Sequence, residues 1–156
     1  MADIISEAGR LHLRWSLVDG VGPITFERLV RRFGSAADAL GASVAQLEGV
    51  QGIGATTAER IARQRDAVDC EAEVSAAAQH GVRIICAADA DYPEGLRRIP
   101  DPPIVLYVKG ELRPTDAVAV AIVGTRRCSI YGSEQARRFG ELLAQAGFTV
   151  VSGLAR

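Results

Sequence analysis

The feature that most constrains this chain is its likeness to itself: displaced by 32 residues, Val18–Arg31 falls onto Val50–Arg63. Seven positions are then identical: Val18/Val50, Gly20/Gly52, Gly22/Gly54, Thr25/Thr57, Glu27/Glu59, Arg28/Arg60 and Arg31/Arg63. Val21/Ile53 and Leu29/Ile61 are conservative pairs. Each copy sets a Gly-hydrophobic-Gly turn before a run with helical spacing. In the first copy Pro23 takes a first-turn position, where its missing N–H is no loss. Such copies predict a small all-helical domain built from a duplicated unit.

The pattern is a doubled helix-hairpin-helix. Glycines let the turn adopt backbone conformations closed to other residues, and the amides of the following helix start face outward toward an anion, a duplex phosphate being the usual guest. Arg28, Arg31 and Arg32 behind the first turn, and Arg60 and Arg63 behind the second, offer added positive charge, partly offset by Glu27 and Glu59. A paired hairpin module also packs well on itself, so a scaffold or protein-contact role stands beside duplex binding. Between the copies, Gly34–Leu40 and Ser43–Leu47 predict two short helices with serine N-caps, and Ala67–His80 a longer one closed by Gly81. His12 and His80 have no company that suggests a metal or a catalytic base.

From Val82 the pattern changes to short β-branched runs, Val82–Cys86 and Ile104–Val108, joined through a turn-rich Asp91–Leu96. Ala117–Val123 lacks polar alternation and predicts a strand covered on both faces, as in a parallel sheet. A helix around Gly132–Ala146, burying Ala136, Phe139, Leu142, Leu143 and Ala146, leads to a neighbouring strand, Phe148–Val151. Strand, loop, helix and strand make one βαβ unit, with Gly124–Gly132 at the carboxyl end of its first strand, where open α/β sheets bind ligands. The expected architecture is an incomplete Rossmann-like α/β domain with a parallel sheet (residues 81–156), preceded by an all-α helix-hairpin-helix/SAM-like domain (residues 1–80).

The loop carries neither G-x-G-x-x-G nor G-x-x-x-x-G-K-[ST], so it is neither a dinucleotide fingerprint nor a P-loop. It offers a small residue, a hydroxyl, two arginines and backbone amides: Gly124, Thr125, Arg126 and Arg127, with Ser152 and Gly153 ending the neighbouring strand at the same rim. That is an anion site suited to a chain of phosphates. Glu134, expected in the first helical turn, opposes it, and Arg137 and Arg138 are expected to be solvated. Arg126 and Arg127 as ordinary surface charges remain the alternative. No Ser, His and Asp set, no paired carboxylates and no nucleophile with an adjacent base converge there, which points to binding rather than catalysis.

Charge agrees with a local site. The whole chain carries 18 basic and 19 acidic side chains, but residues 111–156 hold 6 basic against 4 acidic. A general electrostatic field for nucleic acid is thereby excluded. Cys70, Cys86 and Cys128 are odd in number and widely spaced, so neither a disulfide framework nor a zinc site is indicated, and no cofactor is implied. No apolar run is long enough for a membrane span, and Met1–Gly9 lacks the pattern of a signal peptide, so a cytoplasmic location is expected.

Several segments in order resemble the DNA-processing protein A family (DprA, also called Smf). They are Asp91-Tyr92-Pro93, Leu96, Asp101-Pro102-Pro103, Leu106–Gly110, Val120–Gly124 with Thr125-Arg126, Tyr131-Gly132, and Phe148–Ala155. The resemblance implies a non-enzymatic protein that binds single-stranded DNA without sequence preference during natural transformation and delivers it to the recombinase RecA. It also implies that Gly124, Thr125 and Arg126 belong to a basic pocket for the strand's phosphates, with Ser152-Gly153 beside it, and that the full-length form is a homodimer. The family continues with further strands and helices, so this sequence is expected to be a fragment with an uncovered apolar sheet, prone to self-association when made alone. Two other functions stay open: a Rossmann-like enzyme acting on nucleotides or phosphoribosyl groups, and a duplex-binding hairpin module.

Overall fold

The computed structural model describes residues 5–153, and the chain divides into two compact units, residues 1–110 and 111–156. The first begins with α1 (Glu7–Ser16), followed by the two repeat helices α2 (Pro23–Phe33) and α5 (Ala55–Gln64), with α3 (Ala36–Leu40) and α4 (Val44–Glu48) between them. Local chemistry sets these boundaries. Ser35 and Ser43 accept from the backbone N–H of Asp38 and Gln46, and Gln46 reciprocates on Ser43, closing a capping box. The repeat is kept in three dimensions: Gly20 and Gly52 both take φ near 88°, a left-handed value that side chains disfavour. The pairs Val18/Val50, Val21/Ile53, Phe26/Ala58 and Leu29/Ile61 are all buried in one core with Trp15 and Leu47. The Trp15 indole donates to Ala36 O at 2.9 Å, so its one polar atom is satisfied inside.

The repeats are also tied crosswise. Arg28 donates to Gln51 O in the second hairpin at 2.9 Å, and its equivalent Arg60 donates to Asp19 O in the first at 3.2 Å. A Cβ on Gly52 would stand 2.6 Å from the Arg28 guanidinium, and one on Gly20 2.7 Å from that of Arg60. The glycines thus admit the turn and leave room for the opposite repeat's arginine. Asp19 and Gln64 add a second link, backbone N–H to side chain at 2.9 Å and side chain to side chain at 3.0 Å.

After α6 (Cys70–Gln79) the chain turns at Gly81 and forms β1 (Val82–Cys86), then α7 (Glu94–Arg97) and β2 (Val105–Lys109), with β1 and β2 antiparallel. The sequence changes character after His80, but β1 stays with the helices: Ile84 and Cys86 are buried with Leu13 and Ala77, so the compact unit extends to Gly110. Asp89, a buried carboxylate that no motif announces, accepts from the Ser6 hydroxyl and from the Cys86 N–H, joining the start of α1 to the end of β1. Burial, with the nearby Asp89 charge, pushes the Cys86 thiol up to about 12.

The second unit holds a 3₁₀ turn at Pro114–Ala117, β3 (Ala119–Ala121), α8 (Ile130–Gln145) and β4 (Thr149–Val151), with β3 and β4 parallel as expected of a βαβ unit. Two expectations are corrected. Instead of a covered strand over Ala117–Val123, β3 has three residues, and Val118 and Val123 on either side of it are exposed. A strand is defined by its pairing, and β4 stands in register only with Ala119, Val120 and Ala121. On α8, Ala136 and Leu143 are half-buried, whereas Phe139, Leu142 and Ala146 are exposed. A helical stripe shows which side could be buried, not that something lies against it.

Candidate nucleic-acid interface

The candidate site is assembled by the pairing of β3 with β4. Ala121 lies opposite Val151, and Ile122 N–H donates to Val151 O at 2.9 Å, so both chains leave the sheet at the same carboxyl edge. Gly124, Thr125, Arg126 and Arg127 therefore follow one strand, and Ser152 and Gly153 the other, at a shared rim; Leu154–Arg156, which close the motif, lie outside the described residues.

Within the loop, Thr125 Oγ1 accepts from the Arg127 N–H at 3.1 Å, folding the chain back so that consecutive arginines are presented to solvent. Ser129 then caps α8, accepting from the Gly132 N–H at 3.1 Å. That cap starts the helix at Ile130, two residues earlier than the spacing alone indicated. Glu134 accordingly leaves the first turn, which holds no acidic residue, and the expected opposition to an anion there is removed. Gly124, Thr125, Arg126, Arg127, Ser152 and Gly153 are all exposed. Among the described residues neither the Arg126 nor the Arg127 guanidinium makes a hydrogen bond or ion pair.

The two arginines farther along α8 behave differently from each other. Arg137 is held by Glu141 one turn on at 2.6 Å, while Arg138 has no partner among the described residues. Spacing gives each a glutamate four residues away, Glu141 for Arg137 and Glu134 for Arg138, and among the described residues only the first pair forms. Behind the sheet, Asp116 accepts from the Arg113 N–H and the Thr149 hydroxyl. Those two bonds hold its carboxyl below the usual carboxylate range and fix the 3₁₀ turn to the start of β4.

Three of the five hairpin arginines differ from the expectation of free positive charge, whereas Arg32 and Arg63 have no hydrogen-bond or ion-pair partner among the described residues. Arg28 and Arg60 face carbonyls of the opposite repeat, and Arg31 is paired with Glu27 at 2.6 Å. A hollow of about 770 Å³ beside α2 is lined largely by apolar groups such as Phe26, Pro23 and Ile99. Its arginines are engaged, Arg31 by Glu27 and Arg97 by the carbonyls of Ala87 and Asp89. Among the described residues no cluster of His, Cys, Asp and Glu could hold a metal ion, and no helix is long and apolar enough to cross a membrane.

Fold and rim define a tandem helix-hairpin-helix domain followed by an α/β unit with an arginine-bearing loop at its strand ends. Residues 16–65 match the family model described as SAM-like Helix-hairpin-helix tandem, and residues 83–156 that described as DNA recombination-mediator protein A. Protein Smf of Synechocystis sp. is 37% identical over 147 residues, 92% of this chain and 37% of that protein. Protein Smf of Escherichia coli is 38% identical over 86 residues (55% and 23%), and the DNA processing protein DprA of Bacillus subtilis 32% over 83 residues (53% and 28%). The chain belongs to the DprA/Smf family. It spans between 23% and 37% of the length of these curated relatives.

Proposed function

We propose that this protein binds single-stranded DNA without sequence preference in DNA processing during natural transformation, holding the strand's phosphates at Gly124, Thr125, Arg126 and Arg127 with Ser152 and Gly153 beside them. The observation that carries the proposal is a pair of guanidiniums, Arg126 and Arg127, without a partner among the described residues, on a turn fixed by Thr125 at the carboxyl edge of a parallel sheet. Arginine forks suit phosphate oxygens, and cations without a protein partner keep their charge available for a ligand. The role is binding rather than catalysis. Delivery of the strand to the recombinase RecA, in the cytoplasm and from a homodimer of the full-length form, completes the reading; the family description, DNA recombination-mediator protein, and the name of the Bacillus subtilis relative, DNA processing protein, support a role in DNA processing. The duplex-binding alternative for the hairpins loses support from Arg28 and Arg60, whose guanidiniums are engaged within the domain.

Fluorescence anisotropy with an oligo-dT strand at two salt concentrations tests the proposal. Arg126→Ala is expected to weaken binding and flatten the salt slope by up to about 0.7 for the lost phosphate contact. An affinity and slope equal to those of the unsubstituted protein would remove Arg126 from the site.

A further inference from the structure

The loop cations alone do not explain a preference for single strands, because a duplex offers phosphates as well. Selection needs a group that engages what only a single strand exposes, the flat face of an unstacked base. The three tyrosines of the chain differ in this respect. Tyr92 is buried and its hydroxyl donates to Pro103 O at 2.8 Å; Tyr107 donates to Glu73 at 2.7 Å. Tyr131 is 70% exposed, and its hydroxyl has no partner among the described residues. Tyr131 is thus the tyrosine whose ring and hydroxyl both remain open among the described residues, four residues after Arg127.

Its surroundings are charged, with Glu134 one turn on among the cations. Tyr131 follows the loop that presents Arg126 and Arg127, and Arg138, whose guanidinium has no partner among the described residues, stands seven residues along α8 on the same exposed side, about 10 Å down the helix. The opposite side, with Gly132, Ala136, Gly140 and Leu143, is the half-buried one, and the Gly140 Cα lies close enough to the sheet that a Cβ would come within 3.8 Å of Ile122. A strand entering at Arg126 and Arg127 would therefore run past an aromatic face toward a further cation, the alternation of charge and ring that single-strand binders use. We infer that Tyr131 stacks on a base of the bound strand and sets the preference for single-stranded over duplex DNA, with Arg138 holding a phosphate beyond it. The inference rests on the single-strand reading above.

Affinities of the protein for oligo-dT, for an abasic strand of equal length and charge, and for a duplex test it. The protein is expected to bind oligo-dT at least about fivefold more tightly than the abasic strand, the effect of about one stacked base. Tyr131→Ala should remove that difference while leaving the abasic and duplex affinities and the salt slope unchanged, and Tyr131→Phe should restore it. Arg138→Ala should instead weaken oligo-dT and abasic strands alike and flatten the salt slope by about 0.7. Equal binding of oligo-dT and abasic strand by the unsubstituted protein, or equal losses on both from Tyr131→Ala, overturns the stacking contact and leaves the phosphate site standing. Failure to bind either strand overturns the single-strand reading and this contact with it.

Discussion

Arginines at the hairpin turns of the helical unit and arginines at the rim of the second unit have been put to opposite uses. In the helical unit, Arg28 and Arg60 close the opposite hairpins, Arg65 donates to Ala39 O, and Arg97 reaches the carbonyls of the β1–α7 turn. In the second unit, the guanidiniums of Arg126, Arg127 and Arg138 have no hydrogen-bond or ion-pair partner among the described residues. A guanidinium carries five donors in a rigid fork; given carbonyls or carboxylates at the right spacing it becomes part of the scaffold, and without them it stays available to an outside anion. Arginine count is therefore a poor guide to where nucleic acid binds, and partner geometry a better one.

The comparison can be broken at several points. The largest effect is expected in the closed core of the helical unit: Leu47→Ala, at a fully buried position, should cost about 2–5 kcal/mol in denaturant unfolding followed by Trp15 fluorescence. Alkaline pH should act on the same unit. The folded Cys86 thiol sits near 12 against an ordinary 9.0, so the unfolded chain releases this proton first, and stability should fall as pH rises from 9.0 toward about 12. By pH 10 the loss should be about 1 kcal/mol, and Cys86→Ser or Cys86→Ala should flatten the profile. A thiol reagent at neutral pH should modify exposed Cys128 quickly and leave Cys86 untouched until unfolding.

Smaller effects separate the two classes of arginine more sharply. Arg28→Ala should lower stability by about 1 kcal/mol, for one hydrogen bond at an exposed hairpin, and leave affinity for oligo-dT unchanged. Arg126→Ala should do the reverse. If Arg28→Ala weakened DNA binding without loss of stability, the assignment of the hairpin arginines to the scaffold would fail. The smallest effect is expected at Val123, which is 86% exposed: Val123→Ala should stay within about 0.5 kcal/mol, as an uncovered side chain loses little by truncation.

Much of the helical unit was legible because its signals are local. The glycine turns, the serine caps at Ser35 and Ser43 and the stop at Gly81 concern residues within a few positions of each other, and the duplicated pairs such as Leu29/Ile61 mark the buried side of each helix. The crosswise bonds of Arg28 and Arg60 span 23 and 41 residues and were not legible, since spacing along a helix does not say what faces it. Asp89 escaped notice for the same reason: its partner Ser6 lies 83 residues away. At the candidate rim, the types of Gly124, Thr125, Arg126 and Arg127 pointed to phosphate, but the cap at Ser129 had to be seen before Glu134 could be moved out of the first turn.

The sequence by itself determined the period of the repeat, the helix-to-strand change after His80, the two-strand βαβ order and the residue types at the rim, because each is carried by neighbours in the chain. Only the tertiary structure decided which arginines find partners within the fold, that β1 joins the helices, and that the Tyr131 hydroxyl has no partner among the described residues. Those outcomes depend on which groups meet across long stretches of chain, where burial, hydrogen-bond satisfaction and desolvation act together.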